Sequence, residues 1–202
     1  MFRFAMAALF AAGLALSAGN AQPFNKVLKV GDAAPTYANL QGVDDKTHSL
    51  DDLKSKDVVV IAVTCNHCPV AVAYEDRLIE FAKKYTSSAD SKVALVAINV
   101  NNGEQDKLPA MKVRAKDKGF NFPYVYDPSQ KVGKAYGASV TPEFYVLGKD
   151  RKIVYMGALD DANDATKAKV NYVEEAVKAA LAGKAPETKE TRARGCGVQY
   201  DK

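Results

Sequence analysis

No internal repeat and no linker-like stretch divides this sequence of 202 residues, so it reads as one domain with one sizeable core. No basic cluster is present either. The net charge of +4 is mild and the lysines and arginines are scattered, which argues against nucleic acid as a partner. Tryptophan is absent, an absence with no functional weight of its own. No integral membrane span is expected, because the apolar run Ala5 to Leu16 is short for one. No cysteine directly follows that run, so a lipoprotein anchor is unsupported.

What the run does fit is a secretory leader. Arg3 supplies a positive start, Ala5 to Leu16 the apolar core, and Gly19-Asn20-Ala21 the small residues for cleavage after Ala21. The expected organisation is a signal peptide over residues 1–21, a single α/β domain over 22–184, and a polar tail over 185–202. The expected location is exported, in the periplasm, an oxidising compartment where disulfides persist. All three cysteines, Cys65, Cys68 and Cys196, stay with the mature chain.

The chain is organised around Thr64-Cys65-Asn66-His67-Cys68-Pro69. The apolar, β-branched run Val58 to Val63 leads into it and the amphipathic stretch Val70 to Tyr85 leads out. Two cysteines two residues apart, where a strand hands over to a helix, read as a thiol–disulfide redox site. The spacing predicts both sulfurs on one side of the first helical turn, with Cys65 over the unsatisfied N–H groups and the positive end of the helix dipole. That favours thiolate, the attacking species, so Cys65 is read as the nucleophile. Cys68 is read as the resolving thiol that attacks the mixed disulfide. His67, between the sulfurs, is read as a tuner: a cation there stabilises the thiolate and makes the disulfide more oxidising. Half of a metal site and a plain structural disulfide are the competing readings of the same spacing.

In chain order, Val27 to Pro35 reads as a short strand running into a Gly/Pro turn. Tyr37 to Leu40 and Thr47 to Ser49 read as strands flanking a turn, and Ser49 caps a short helix with Asp52 three residues on. Asp57 to Thr64 and Lys92 to Asn99 are near-continuous apolar runs, as strands buried on both faces should be. A helix is expected from about Leu108 to Lys118, ended by Gly119. A short strand at Phe122 to Tyr126 and a short helix at Gln130 to Tyr136 follow. Glu143 to Leu147 and Ile153 to Met156 form a hairpin, and Ala165 to Ala182 reads as a long closing helix. Asp160, Asp161 and Asp164 are read as an acidic entrance to that helix.

This order, with four local features, resembles the thioredoxin-like redoxin family, which includes peroxiredoxins of the AhpC/TSA type and exported TlpA/ResA-like thiol–disulfide oxidoreductases. The features are Val-Gly-Asp-Ala-Ala-Pro at Val30 to Pro35, Cys65-Asn66-His67-Cys68 after a buried strand, Val140-Thr141-Pro142 ahead of the Glu143 strand, and the hairpin with its closing helix. Together they cover roughly Val27 to Ala182. The resemblance implies a three-layer fold, with a central mixed sheet, helices on both faces and an N-terminal β-ribbon. It also implies a cis bond before Pro142, facing the two cysteines and presenting backbone to a substrate. No cofactor is implied. The implied partners are protein thiols or disulfides and a redox partner protein.

The departures from the family matter. Thioredoxin has Trp before its first cysteine, where Thr64 stands here, and a buried Asp six residues before it, where Val59 stands. Glu143 and Glu75 are the fallback proton acceptors, each read as a solvated surface charge. The peroxiredoxin pattern Pro-x-x-x-Thr-x-x-Cys fits neither cysteine: counting back gives Ala62 and Val58, or Cys65 and Ile61. Thiol peroxidase activity is therefore the weaker expectation. A His in the third slot resembles DsbA and protein disulfide isomerase, with potentials of roughly −120 and −180 mV against about −270 mV for thioredoxin. That places the expectation on the oxidising side.

Cys196 lies between Gly195 and Gly197 in the polar tail, with reach and little cover. It reads as a mobile third thiol, a tether, or an isolated exposed cysteine. The rival from another class is a copper or zinc module built on Cys65, Cys68 and His67, completed by His48 or Cys196. SCO-like copper proteins place three residues between their cysteines and a distant His after them, and this chain does neither. A redox-inert interaction domain is the third reading, against which two adjacent thiols argue.

Overall fold

The structure, a computed structural model, describes residues 24–201; the leader read over residues 1–21 lies outside that range. In chain order the elements are β1 (Leu40–Gly42), β2 (Thr47–His48), a 3-10 turn at Leu50–Leu53, β3 (Val58–Thr64) and α1 (Pro69–Tyr85). They continue with β4 (Val93–Asn99), α2 (Leu108–Lys118), β5 (Tyr124–Tyr126), α3 (Lys131–Tyr136), β6 (Val140–Thr141), β7 (Glu143–Leu147) and β8 (Ile153–Gly157). A 3-10 turn at Ala165–Lys167, α4 (Tyr172–Leu181) and β9 (Cys196–Gly197) complete the chain.

Seven strands form one mixed sheet in the order β2-β1-β5-β4-β3-β7-β8, while β6 and β9 pair separately. β3 and β4 run parallel, from Val58 opposite Val93 to Thr64 opposite Asn99. β5 continues the parallel set, β7 and β8 add antiparallel strands on one side, and the β1–β2 ribbon adds them on the other. Successive side chains of a strand point to opposite faces. Val58, Val60 and Ala62 accordingly pack with Tyr74, Leu78 and Phe81 of α1, Met111 of α2 and Val173 and Val177 of α4. Val59, Ile61 and Val63 pack on the other side with Leu50, Val132 and Tyr136. Each fully buried large apolar side chain contributes roughly 1.5–3 kcal/mol, and both layers draw on β3. This is the three-layer α/β arrangement expected from the sequence.

Three expectations fail locally. Val27 to Val30 is not a strand. Leu28 and Val30 pack against the second core cluster, and only Gly31 to Ala34 bond to the start of β8 (Gly31 N–H to Ile153 O, 2.8 Å). The closing helix starts at Tyr172 rather than Ala165, because Asn171 caps it by accepting from the Glu174 N–H at 2.9 Å. The three aspartates serve other ends. Asp160 is buried in an ion pair with Arg77, Asp161 accepts from the N–H groups of Lys169 and Val170, and Asp164 caps the 3-10 turn.

The tail is not free either. Thr191 N–H bonds to Met156 O at 3.1 Å and Met156 N–H to Lys189 O at 3.2 Å, so the tail runs beside β8. Glu190 Oε1 accepts from the backbone N–H groups of Phe24 (2.8 Å) and Asn25 (3.1 Å). Gln199 N–H reaches Asn101 Oδ1 at 3.0 Å and Asp201 N–H reaches Gln130 Oε1 at 2.7 Å. Between these anchors, β9 pairs antiparallel with β6, Thr141 opposite Cys196.

Candidate active site

Register brings the site together. β3 ends at Thr64 level with Asn99, so the loops after two adjacent parallel strands share one end of the sheet. Ligand-bearing loops gather at the carboxyl ends of parallel strands. Val63 pairs with Glu143, which sets Thr141-Pro142 beside the turn that follows β3. The Thr141–Pro142 bond is cis.

Both cysteines of the pair are free thiols and buried, Cys65 with 3% of its surface exposed and Cys68 with none. Cys65 Sγ lies 3.0 Å from Thr141 Oγ1. Cys68 Sγ lies 3.1 Å from Thr141 O, to which the protonated thiol donates. Cys196 packs against the pair, and its backbone N–H donates to Cys68 Sγ at 3.3 Å.

The helix begins at Pro69, with Cys68 as its N-cap, so the helix end acts on Cys68 rather than on Cys65. Burial opposes ionisation of Cys68. A hydrogen bond from the Cys196 thiol and the N–H groups of Ala71, Cys196 and Val70 outweigh it, and the Cys68 pKa falls below the usual thiol value. Cys196 moves the opposite way, raised first by that same bond to Cys68 and then by burial. Cys65 is pushed up to about 11. Burial dominates, and the Thr141 and Cys68 hydrogen bonds oppose it while the charges of Asp106 and Cys68 add to it. In the docked arrangement Cys68 is therefore the more acidic of the pair.

His67 is paired with a carboxylate that the sequence did not single out. Its Nδ1 faces Asp106 Oδ2 at 2.5 Å, with the ring partly exposed and the carboxylate buried. Asp106 also accepts from the Asn66 N–H (2.7 Å) and Asn99 Nδ2 (3.2 Å). It is the residue that reading the sequence missed. The available signal was its place in the loop after β4, at the same sheet end as the cysteines. Among the described residues, Cys65, His67 and Asp106 each offer one ligand atom, all within 4.8 Å of one another. His48 is elsewhere, against Asp44 at 3.0 Å on the β-ribbon.

The two fallback glutamates are buried, not solvated. Glu75 accepts from two of the three guanidinium nitrogens of Arg114, Nε at 2.8 Å and Nη2 at 2.7 Å, and lines a small cavity together with Cys65. Glu143 accepts from the Ser139 N–H at 2.9 Å, and burial raises its carboxyl above the usual range.

Asp106→Asn keeps the shape of the loop and removes its charge. The expected result is a more acidic Cys65, because one negative neighbour of its thiolate is gone. The pH dependence of Cys65 alkylation reads this directly; an unmoved midpoint would show that Asp106 does not act on the sulfur.

A Redoxin family model matches residues 29–173. The chain is 35% identical to an uncharacterized conserved protein from Geobacillus kaustophilus of known structure, covering 88% of this chain and 95% of that one, with a TM-score of 0.79. A hypothetical protein from Sinorhizobium meliloti 1021 is 31% identical over 88% of this chain and 97% of its own, again at 0.79. A protein named thiol–disulfide oxidoreductase ResA from Bacillus thuringiensis (strain Al Hakam) is 25% identical, covering 63% of this chain and 68% of that one.

Proposed function

Because the chain belongs to the redoxin family, we propose that it is an exported thiol–disulfide oxidoreductase that exchanges disulfides with protein thiols through Cys65 and Cys68. The observation that carries this reading is the pair of free cysteines at the β3–α1 junction, packed against the cis Thr141–Pro142 bond. Relatives named thiol–disulfide oxidoreductase support the reaction class. The leader at residues 1–21 supports export. Among the described residues, no helix is long and apolar enough to cross a membrane.

In the reducing direction, Cys65 thiolate attacks one sulfur of a client disulfide. A Cys65–client bond forms, the client bond breaks, and the second client sulfur leaves as thiolate. Cys68, the thiol with the depressed pKa, then attacks Cys65 Sγ. The Cys65–Cys68 bond forms and the first client sulfur leaves. Run backwards, the same steps oxidise a client. Pro142 and the edge of β6, once β9 leaves it, form the platform for the incoming chain, and His67, held by Asp106, tunes the pair.

Asp106 changes the expected poise. Burial first, and the Asp106 carboxylate that faces His67 in addition, oppose the Cys65 thiolate, and a raised nucleophile pKa stabilises the disulfide. Equilibration of the pair in a dithiol buffer is expected to give a potential near that of thioredoxin, about −270 mV. A value near about −120 mV would make the protein an oxidant instead, with His67 outweighing Asp106. The rival metal module is favoured by the Cys65, His67 and Asp106 cluster. If the pair shows no reversible two-electron couple and the protein purifies with stoichiometric copper or zinc, the redox reading is wrong.

A further inference from the structure

The tail raises an access problem. Cys65 and Cys68 are buried beneath it, while Cys196, hydrogen-bonded to Cys68, is partly exposed. The cover is a register-specific strand. Thr141, whose hydroxyl meets Cys65 and whose carbonyl meets Cys68, pairs with Cys196. Gly195 makes that approach possible: a Cβ there would lie 1.9 Å from Thr141 O and 2.5 Å from its carbonyl carbon. Gly157 makes a second close passage, where a Cβ would lie 2.2 Å from Thr191 O. A pocket beside the tail is lined by Phe24, Ser139, Val140, Arg192, Arg194 and Gly195, the residue next to Cys196.

We propose that Cys196 is a third redox thiol, which takes the disulfide from the buried pair as a Cys68–Cys196 bond and presents it at the surface to a dithiol protein. This rests on the reading of Cys65 and Cys68 as an exchanging pair. The step balances within the chain. Cys196 loses its proton and its thiolate attacks Cys68 Sγ in the Cys65–Cys68 disulfide. The Cys68–Cys196 bond forms, the Cys65–Cys68 bond breaks, and Cys65 leaves as thiolate and takes up a proton. Two electrons enter only afterwards: one thiol of an external dithiol attacks Cys196 Sγ and Cys68 leaves as thiolate, then the second thiol attacks the first, Cys196 leaves as thiolate, and the dithiol closes to its own disulfide. Cys65 is regenerated before the reductant arrives, so client and reductant use different sulfurs.

The test is disulfide mapping joined to kinetics on the purified chain. Oxidised protein is quenched in acid, its free thiols are blocked, and trypsin is added. Cleavage after Lys56, Arg77 and Arg194 leaves Cys65 and Cys68 on one peptide, 57–77, and Cys196 on another, 195–202. The expected result is a population of 57–77 linked to 195–202 in the oxidised wild type, enriched in Cys65→Ser and absent in Cys68→Ser. Reduction of the oxidised chain by reduced thioredoxin, used as the dithiol probe, is expected to slow at least about tenfold in Cys196→Ser, since the exposed sulfur is gone. If the linked peptides are missing and Cys196→Ser is reduced at the wild-type rate or faster, the tail is only a cover and the relay is overturned. The Cys65–Cys68 couple measured on that same variant separates the two readings. A normal couple with wild-type kinetics sinks the relay alone, whereas no couple in either protein sinks the exchanging pair and the relay with it.

Discussion

Gly195→Ala is expected to move the acidities of Cys65 and Cys68 in opposite directions. The added methyl would meet Thr141 O at 1.9 Å and Pro142 N at 3.1 Å. These are backbone atoms, so no side-chain rotation relieves the clash and β9 must leave β6. Burial is the main reason the Cys65 thiol is held at about 11. Once uncovered, its thiolate is solvated and its pKa falls. Cys68 loses the hydrogen bond from Cys196 and the Cys196 N–H, so its pKa rises. Alkylation at neutral pH follows the thiolate fraction, and one unit is tenfold. Cys65 is expected to react at least about tenfold faster than in the wild type, and Cys68 more slowly per unit of exposure. Iodoacetamide labelling across pH, read peptide by peptide, checks both. Superimposable profiles in variant and wild type would mean that the tail does not govern the pair.

The largest stability change is expected at Arg77. Its guanidinium pairs with the buried Asp160, donates to Ala162 O at 3.0 Å and Asn163 O at 2.6 Å, and stacks 3.6 Å from the Tyr74 ring centre. Arg77→Met keeps much of the stem and strands the Asp160 carboxylate, 2% exposed, with the Tyr74 hydroxyl at 3.1 Å and the Ala162 N–H. Breaking one side of a buried pair costs about 3–5 kcal/mol. For a domain of this size that is a fall in Tm of about 6–20 °C. Replacing both partners by apolar residues, Arg77→Met with Asp160→Leu, is expected to recover a large part of the loss, because no buried charge is left alone. A single-variant Tm within about 2 °C of wild type would show that α1 is not anchored to the loop after β8 through this pair.

Legibility from the sequence followed the kind of force involved. Val58 to Thr64 and Val93 to Asn99 were readable because burial on both faces leaves an unbroken apolar run. The helix from Pro69 was readable because Tyr74, Leu78 and Phe81 recur on one face. Pairing of distant backbones leaves no such trace. The tail has the composition of a solvated segment, yet it docks through main-chain bonds and a few polar side chains, among them Glu190 and Gln199. Composition reports what side chains prefer, and these preferences do not disclose which edge a strand will meet. Asp106 escaped for a related reason. It bonds residues 40 and 39 positions earlier, Asn66 and His67, and nothing in its immediate neighbours marks it. Glu75 and Glu143 were misplaced because a lone carboxylate is normally exposed, and only the fold supplies Arg114 to one and the Ser139 N–H to the other. The helix start at Tyr172 was displaced by three aspartates that resemble caps, when the true cap is Asn171.

The contact between Cys196 and Cys68 spans 128 positions of chain, and a ribosome makes those positions in order. Both sulfurs of the pair, with the sheet end and the helix that hold them, exist long before the strand that covers them. Until Cys196 and Gly197 are made and paired with β6, a new chain has an uncapped pair. Cutting after Arg192 or Arg194 returns the molecule to that earlier form, since Cys196 departs with the fragment while β3, α1 and Thr141 stay behind. Age and proteolytic history thus become variables of the protein's chemistry: two samples of equal concentration and equal folded content differ in reactivity according to how many molecules have kept their final eight residues.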